Sequence, residues 1–268
     1  MITAPPPSAT RIGLARARLE LLLFYRNPAA VIFSFAYPII MLVIFGSVFR
    51  NSHVAGGVTY TQYFVPGIAA TGIMLTSFQA LGVRIALERH EGELARLQAL
   101  GTPPLAYFFG KAAQVLVTTT SQLAVLLVVG RYGFDVPLPA DAAHWLTFGW
   151  VAALGALAGT VLGIAVSLVS KDARTADAVV PPIAIVLQFF SGVFFVYSRL
   201  PAWMRDIAAV FPLKWLTQGM RSAFLPDGAR QAEVSGSWQH GLTATVLLTW
   251  VVVGLVICRR GFRWRRTA

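Results

Sequence analysis

Long runs of Val, Leu, Ile, Ala and Phe, broken by short polar stretches, set the pattern of this 268-residue chain. Six runs reach the ~20 apolar residues that a helix needs to cross a bilayer core of ~30 Å. They cover about 30–49, 64–83, 105–130, 145–169, 178–196 and 242–258. None alternates polar and apolar residues over ~10 positions, as a membrane β-strand does. The pattern predicts an all-α integral membrane protein, with six transmembrane helices in one membrane domain over 29–258.

Three further segments keep helical spacing without spanning. In 10–28, Ile12, Ala15, Leu19, Leu22 and Leu23 recur on one side, and Arg11, Arg16, Arg18 and Arg26 supply the other. This predicts an amphipathic helix along the membrane surface, stopped at Asn27-Pro28. The segment 84–103 sets Glu88, Arg89, Glu91, Glu93 and Arg96 among leucines, with a break at Gly92 and a stop at Gly101-Thr102-Pro103-Pro104. The segment 199–226 holds Pro201, Trp203, Phe211-Pro212, Trp215 and Phe224, too apolar for a solvated loop and too interrupted to span. Short helices dipping into the outer leaflet fit it best. Residues 1–9, with Pro5-Pro6-Pro7, read as a disordered lead-in.

Composition and charge add orientation. Hydrophobic residues make up 56% and charged residues 12%, against ~25% charged in soluble domains. These values exclude a soluble globule, a disordered chain and a collagen-like one. The single cysteine, Cys258, excludes a disulfide scaffold and a Cys-based metal site. The first apolar run begins too late and runs too long for a signal peptide. Placing the N-terminus inside gathers most of the 22 Lys and Arg on that side, as the positive-inside rule requires. Both termini are then cytoplasmic. The basic tail 259–268, with Trp264 among its arginines, abuts a membrane helix and fits anionic lipid headgroups rather than nucleic acid.

Chemistry is conspicuous by what is missing. Gly110-Lys111 is followed by Ala112 and has Leu105 where a P-loop has its first glycine. His53, His90, His144 and His240 are scattered and lack metal-ligand spacing, so no metal site is expected. No G-x-S-x-G occurs. The six runs hold no Asp, Glu or His, and Lys111 is their only cation. Ion-coupled carriers and intramembrane enzymes need ionisable groups at depth, so neither is favoured. Gly155, Gly159 and Gly163 form a small-residue face, read as helix packing within one subunit or as a dimer seam. Gln188 and Ser191 lie among Phe189, Phe190, Phe194 and Phe195, and Phe78-Gln79 resembles them in the second run. These side chains could line a path or bond neighbouring helices.

Four features together resemble the permease subunits of type-2 ABC exporters, the family of daunorubicin-resistance, lipo-oligosaccharide and polysaccharide export permeases. They are the surface helix ending in Arg26-Asn27-Pro28; the segment Glu88-Arg89-His90-Glu91-Gly92-Glu93-Leu94 with Leu97, Thr102-Pro103 and Gly110-Lys111; Leu200-Pro201-Ala202-Trp203 with Phe211-Pro212-Leu213 and Arg221; and the six-span plan with both ends inside. Glu93 stands where the family commonly has Thr, and Phe211 where it has Asn. The resemblance implies a permease in a bacterial cell membrane that exports a drug, lipid or glycolipid. It would carry no ATPase site and no cofactor of its own, MgATP being bound by a partner ATPase dimer. A second permease copy or paralogue would complete the path. Glu88, Arg89, Glu91, Gly92, Glu93 and Arg96 would form the coupling segment. The second and fifth spans would line the substrate path, through Phe78, Gln79, Gln188, Phe189, Phe190, Ser191 and Phe194. The alternatives are an ion-coupled secondary transporter and a membrane-embedded lipid-modifying enzyme.

Overall fold

A computed structural model of the chain describes residues 9–54, 56–169 and 173–261. Residues 1–8 of the expected lead-in 1–9 and most of the basic tail lie outside these residues, and Ala9 opens the first helix. The described chain is all-helical. Its elements are α1 (Ala9–Tyr25), α2 (Pro28–Val48), α3 (Tyr60–Met74), a π-turn (Leu75–Ala80), α4 (Leu81–His90), α5 (Glu93–Ala99), α6 (Pro104–Phe134), α7 (Ala142–Val169), α8 (Ala173–Phe190), α9 (Ala202–Val210), α10 (Pro212–Phe224) and α11 (His240–Gly261).

Local chemistry sets several boundaries. Asn27 Oδ1 accepts from the Ala30 amide and Pro28 occupies the first turn, so the residues that end α1 also start α2. Thr59 and Gln62 form a reciprocal capping box at α3. Gly92, at φ 78°, breaks the chain between α4 and α5 in a left-handed conformation that suits glycine.

Five described stretches are long and apolar enough to cross a membrane: Pro28–Val48, Tyr60–His90, Pro104–Phe134, Ala142–Leu168 and His240–Gly261. The expected fifth run, 178–196, departs from the sequence reading. Its helix, α8, is 18 residues long and stops at Phe190. Gly192 turns the chain at φ 71°, and Arg221 Nη2 donates to the Gly192 carbonyl. Hydropathy continues to Val196 because the turn and, apart from the exposed Phe195, the residues after it are buried, not because they are helical. The second span also departs. α3, the π-turn and α4 run on as one rod from Tyr60 to His90, so residues 84–90 prolong a span and only α5 stands apart.

This long rod is the centre of the bundle. α6, α7 and α10 pack around it, and α10 is buried at every residue. Phe45, Phe49, Tyr60, Phe64 and Phe194 form a ring cluster at one end, with centroids 4.5–6.1 Å apart. α1 docks on α6 through Gly13, Arg16, Ala17 and Glu20, and leaves Leu14, Leu19, Leu22 and Leu23 exposed. The face that carries Gly13, Arg16, Ala17 and Glu20 therefore meets the protein, while Arg11, Arg18 and Arg26 stay exposed and the leucines face outward, where a bilayer would take them.

Candidate functional site

At the end of the bundle that carries α1 and α5, five charged side chains meet. Lys111 of α6 is fully buried, as is Glu88 of α4. The Lys111 ammonium lies 2.8 Å from Glu20 of α1 and 2.5 Å from Glu88. Arg16 pairs with the other Glu20 oxygen at 2.6 Å, Arg84 pairs with Glu88 at 2.8 Å, and the Tyr107 hydroxyl donates to Glu88 at 2.8 Å. Three helices are thus tied by ions of which all but the half-exposed Arg84 have largely left water. Such a cluster holds only while each member keeps its partners.

Beside it opens a cavity of about 430 Å³ between α1, α2, the π-turn, α6 and α8. Thr76, Gln79, Gln114, Gln122, Gln188, Ser34 and Tyr37 supply hydrogen-bonding groups, while Phe24, Phe33, Leu23 and Ile185 supply apolar surface. Tyr37 donates to Gln188 at 2.7 Å, Thr76 to Gln122 at 3.1 Å, and Gln122 to the Ser34 carbonyl at 2.6 Å. These bonds stitch α2 to α8, and the π-turn and α2 to α6. The π-turn spreads an extra residue over its turn, which brings Leu75, Thr76, Gln79 and Ala80 to the same wall. Such π segments recur at functional sites.

The opposite end is held by Arg221. Its guanidinium lies 3.6 Å from the centre of the Tyr63 ring and pairs with Glu233 at 3.2 Å. Lys214, on the same helix, sits over the Trp215 ring at 3.5 Å and donates to Gln218. Burial pulls its ammonium down to about 8, partly countered by Glu233 and reinforced by Arg221.

The residues singled out from the sequence fall in several places. Gln79 and Gln188 line the cavity. Phe78 faces a small gap on the other side of Gln188. Phe189 stacks near Phe194 at 4.9 Å, Phe190 meets Trp203 edge-on at 5.5 Å, and the Ser191 hydroxyl is buried without a hydrogen-bond partner among the described residues. The coupling set divides as well. Glu88 lies in the ion cluster and Arg89 donates to Ser167 at the end of α7. Glu91 and Arg96 are exposed, and Gly92 and Glu93 half-buried. Gly155, Gly159 and Gly163 face Leu216, Ser77 and the Ser77–Phe78 carbonyls of the same chain.

Sequence reasoning marked Thr118, Thr119, Thr120, Ser121 and Gln122 as a polar stretch in the third run that would bond neighbouring helices, and Gln122 does so; it passed over Glu20, Tyr37, Thr76 and Gln114. A signal was present: Lys111, Gln114, Thr118 and Gln122 recur at three and four residues and make one polar stripe in an apolar run. Sequence reasoning also found no buried ionisable group at depth apart from Lys111. Glu20 and Glu88 lay outside the runs, and folding brings both onto it. Among the described residues, no three His, Cys, Asp or Glu are grouped to hold a metal ion.

Long apolar helices, a central rod and a polar cavity define a multi-pass helical membrane protein. The ABC-2 type transporter family matches residues 14–225, and the chain belongs to that family. It is 26% identical over 194 residues to ABC transporter G family member 20 of Dictyostelium discoideum, covering 72% of this chain and 25% of that protein. It is 20% identical over 179 residues to the probable multidrug ABC transporter permease YbhR of Escherichia coli, covering 67% of this chain and 48% of that protein. It is also similar to the daunorubicin resistance ABC transporter permease protein DrrB1 of Streptomyces coeruleorubidus, with 24% identity over 266 residues, 96% of this chain and 86% of that one. The chain thus spans a quarter to about half the length of the first two relatives.

Proposed function

We propose that this chain is the membrane-spanning permease subunit of an ATP-driven exporter. It would move a hydrophobic or amphiphilic compound (a drug, lipid or glycolipid) out of the cytoplasm or inner leaflet. The observation that carries this reading is the family match over 14–225, made by a chain whose helices have the length and apolarity to span. Energy would come from MgATP on a separate ATPase subunit dimer, and a second permease copy or paralogue would complete the path. The cell membrane of a bacterium is the proposed location, with six crossings, α8 supplying the fifth, and both termini inside. α5 and the turn before it fit the coupling element: Glu91 and Arg96 are exposed, while the Glu88–Lys111–Glu20 ions fasten α4, which leads into that turn, to α6 and α1. A rigid joint of this kind transmits the motion of a bound domain.

The same buried ions favour a second reading, an ion-coupled carrier, because such carriers keep ionisable groups in their membrane helices. One experiment separates the two. The chain is co-expressed with a P-loop ATPase encoded beside it, the complex is reconstituted in liposomes, and uptake of amphiphilic dyes is followed. Uptake that needs ATP and stops in a Walker-A lysine variant of the ATPase supports the exporter. Uptake by the permease alone under a proton gradient would establish the carrier instead.

A further inference from the structure

The cavity beside the π-turn has a chemical character that narrows the ligand, and this inference rests on the exporter reading. Its wall carries two charged residues, and each is already ion-paired, with Glu93 as a further carboxylate acting on Arg84. Glu20 is held by Arg16 and Lys111, and Arg84 by Glu88. A cationic head would lose water without gaining a free carboxylate, and an anionic head would have to compete with Glu88 for Arg84, the one half-exposed cation of the wall. The remaining polar groups are amides and hydroxyls: Gln79, Gln114, Gln122, Gln188, Tyr37 and Thr76.

Two of these amides are not spent on holding helices together. Gln79 Oε1 is buried with no hydrogen-bond partner among the described residues. Gln114 makes no side-chain hydrogen bond to another described residue. Buried polar atoms are nearly always satisfied, and Gln79 lines the cavity, so a turn of its amide would bring the orphaned acceptor to a donor bound there. Phosphate diesters and quaternary ammonium groups bring none, and phosphate monoesters few at neutral pH; a hydroxyl brings a donor and an acceptor, and an amide answers both. The rim completes the picture. Leu23, Phe33 and Ile185 are exposed there, and Phe33 retains 76% of its accessible surface. At about 430 Å³ the volume lies in the lower part of the ~300–1,000 Å³ range of ligand pockets.

We propose that this cavity takes the uncharged, hydroxyl-rich head of an amphiphile, a glycoside-like group. Hydroxyls bond Gln79 and Gln114, the C–H face of the head lies against Phe33 or Tyr37, and the apolar remainder leaves over Leu23, Phe33 and Ile185. The bonded glutamines, Gln122 and Gln188, shape the floor.

The test uses the permease in lipid nanodiscs without the ATPase, so that it stands apart from the exporter reading. Saturation-transfer NMR compares hexyl β-D-glucoside, 4-nitrophenyl β-D-glucoside, hexyl phosphate, hexyltrimethylammonium and hexanol, each against empty nanodiscs. We expect saturable binding of at least one glucoside, and at least tenfold weaker binding of it to a Gln79→Leu/Gln114→Leu variant whose melting temperature matches wild type. Phe33→Ala, at the exposed rim, should weaken binding severalfold without affecting the fold. Preference for the hexyl or the aryl glucoside distinguishes a lipid from a ring-bearing small molecule as the source of the head. Binding of the phosphate or the ammonium at least as tight as the glucosides would overturn the proposal. So would glucoside binding that neither variant weakens, or no saturable glucoside binding at all. ATP-driven transport in the earlier experiment could still succeed in each of those cases, so the two readings fail separately.

Discussion

Lys111 is the residue on which the end of the bundle that carries α1 and α5 turns. Its one positive charge lies between the carboxylates of Glu20 and Glu88, with all three side chains out of water. Lys111→Met would leave two buried carboxylates facing each other, and breaking a buried pair in this way costs about 3–5 kcal/mol. Loss of the monodisperse peak on size exclusion, or a sharply lower melting temperature, is expected; a melting temperature equal to wild type would show that the cluster is not structural. Lys214 supplies a test at the other end. Its folded value of about 8 lies below the usual 10.5, so between these values the unfolded chain binds more protons than the folded one. Stability contributed by this site therefore rises with pH across the window, and the cost of burying the ammonium is fully present below about 8. From pH 7.5 to 9.5 wild type should gain up to about 2 kcal/mol relative to Lys214→Met, at ~1.4 kcal/mol per unit. Parallel melting curves for the two proteins across that range would refute the assignment.

At the scale of elements, the contact between α7 and the π-turn is the tightest to test. A Cβ on Gly163 would come within 2.8 Å of the Ser77 and Phe78 carbonyl oxygens, whereas one on Gly149, in the same helix, would meet nothing within 4 Å. Gly163→Ala should destabilise by about 1–3 kcal/mol through overpacking. Gly149→Ala should be neutral, or gain up to about 1 kcal/mol of helix propensity. Equal melting temperatures for the two variants would mean that the π-turn yields freely. The proposed coupling element calls for a similar separation of roles. Reversing Glu88 would disrupt the ion cluster, so it cannot report on coupling alone. Glu91→Lys with Arg96→Glu changes only exposed charge. The double variant should purify normally yet recover several-fold less ATPase subunit in co-purification. Undiminished recovery with full transport would place the contact elsewhere.

For the whole molecule, the proposed orientation is best read from two exposed sites. Cys258 is half-buried and donates toward the Val161 carbonyl at 3.5 Å, so its silence toward a thiol reagent would say little. In a Cys258→Ala background, Leu100→Cys lies at the end of α5 and Val234→Cys precedes α11, both on exposed residues. A membrane-impermeant maleimide added to intact cells should label Val234→Cys at once, and Leu100→Cys only after permeabilisation. The reverse pattern would invert the molecule in the membrane.

The membrane class, the helical content and the positions of the long apolar stretches were legible in the sequence, because burial in lipid demands an unbroken apolar run and that demand is local. The break at Gly92 and the stop at Asn27-Pro28 were legible for the same reason. Each rests on the conformational limits of one or two residues. The end of the fifth apolar run was not. Ser191–Val196 is as apolar as a span, but Gly192 turns it and Arg221, 29 residues further on, bonds its carbonyl. The candidate site was half legible. Gln79 and Gln188 stood out as polar residues in apolar runs, yet only the fold placed Gln114 beside them. It also separated the glutamines that tie helices together from those left free. Charge was the least legible of all. Glu20, Glu88 and Lys111 lie on three different helices, and nothing in their local spacing says that they meet. Hydropathy is a property each residue carries with it, whereas the partner of a buried charge is decided by where two other helices come to rest.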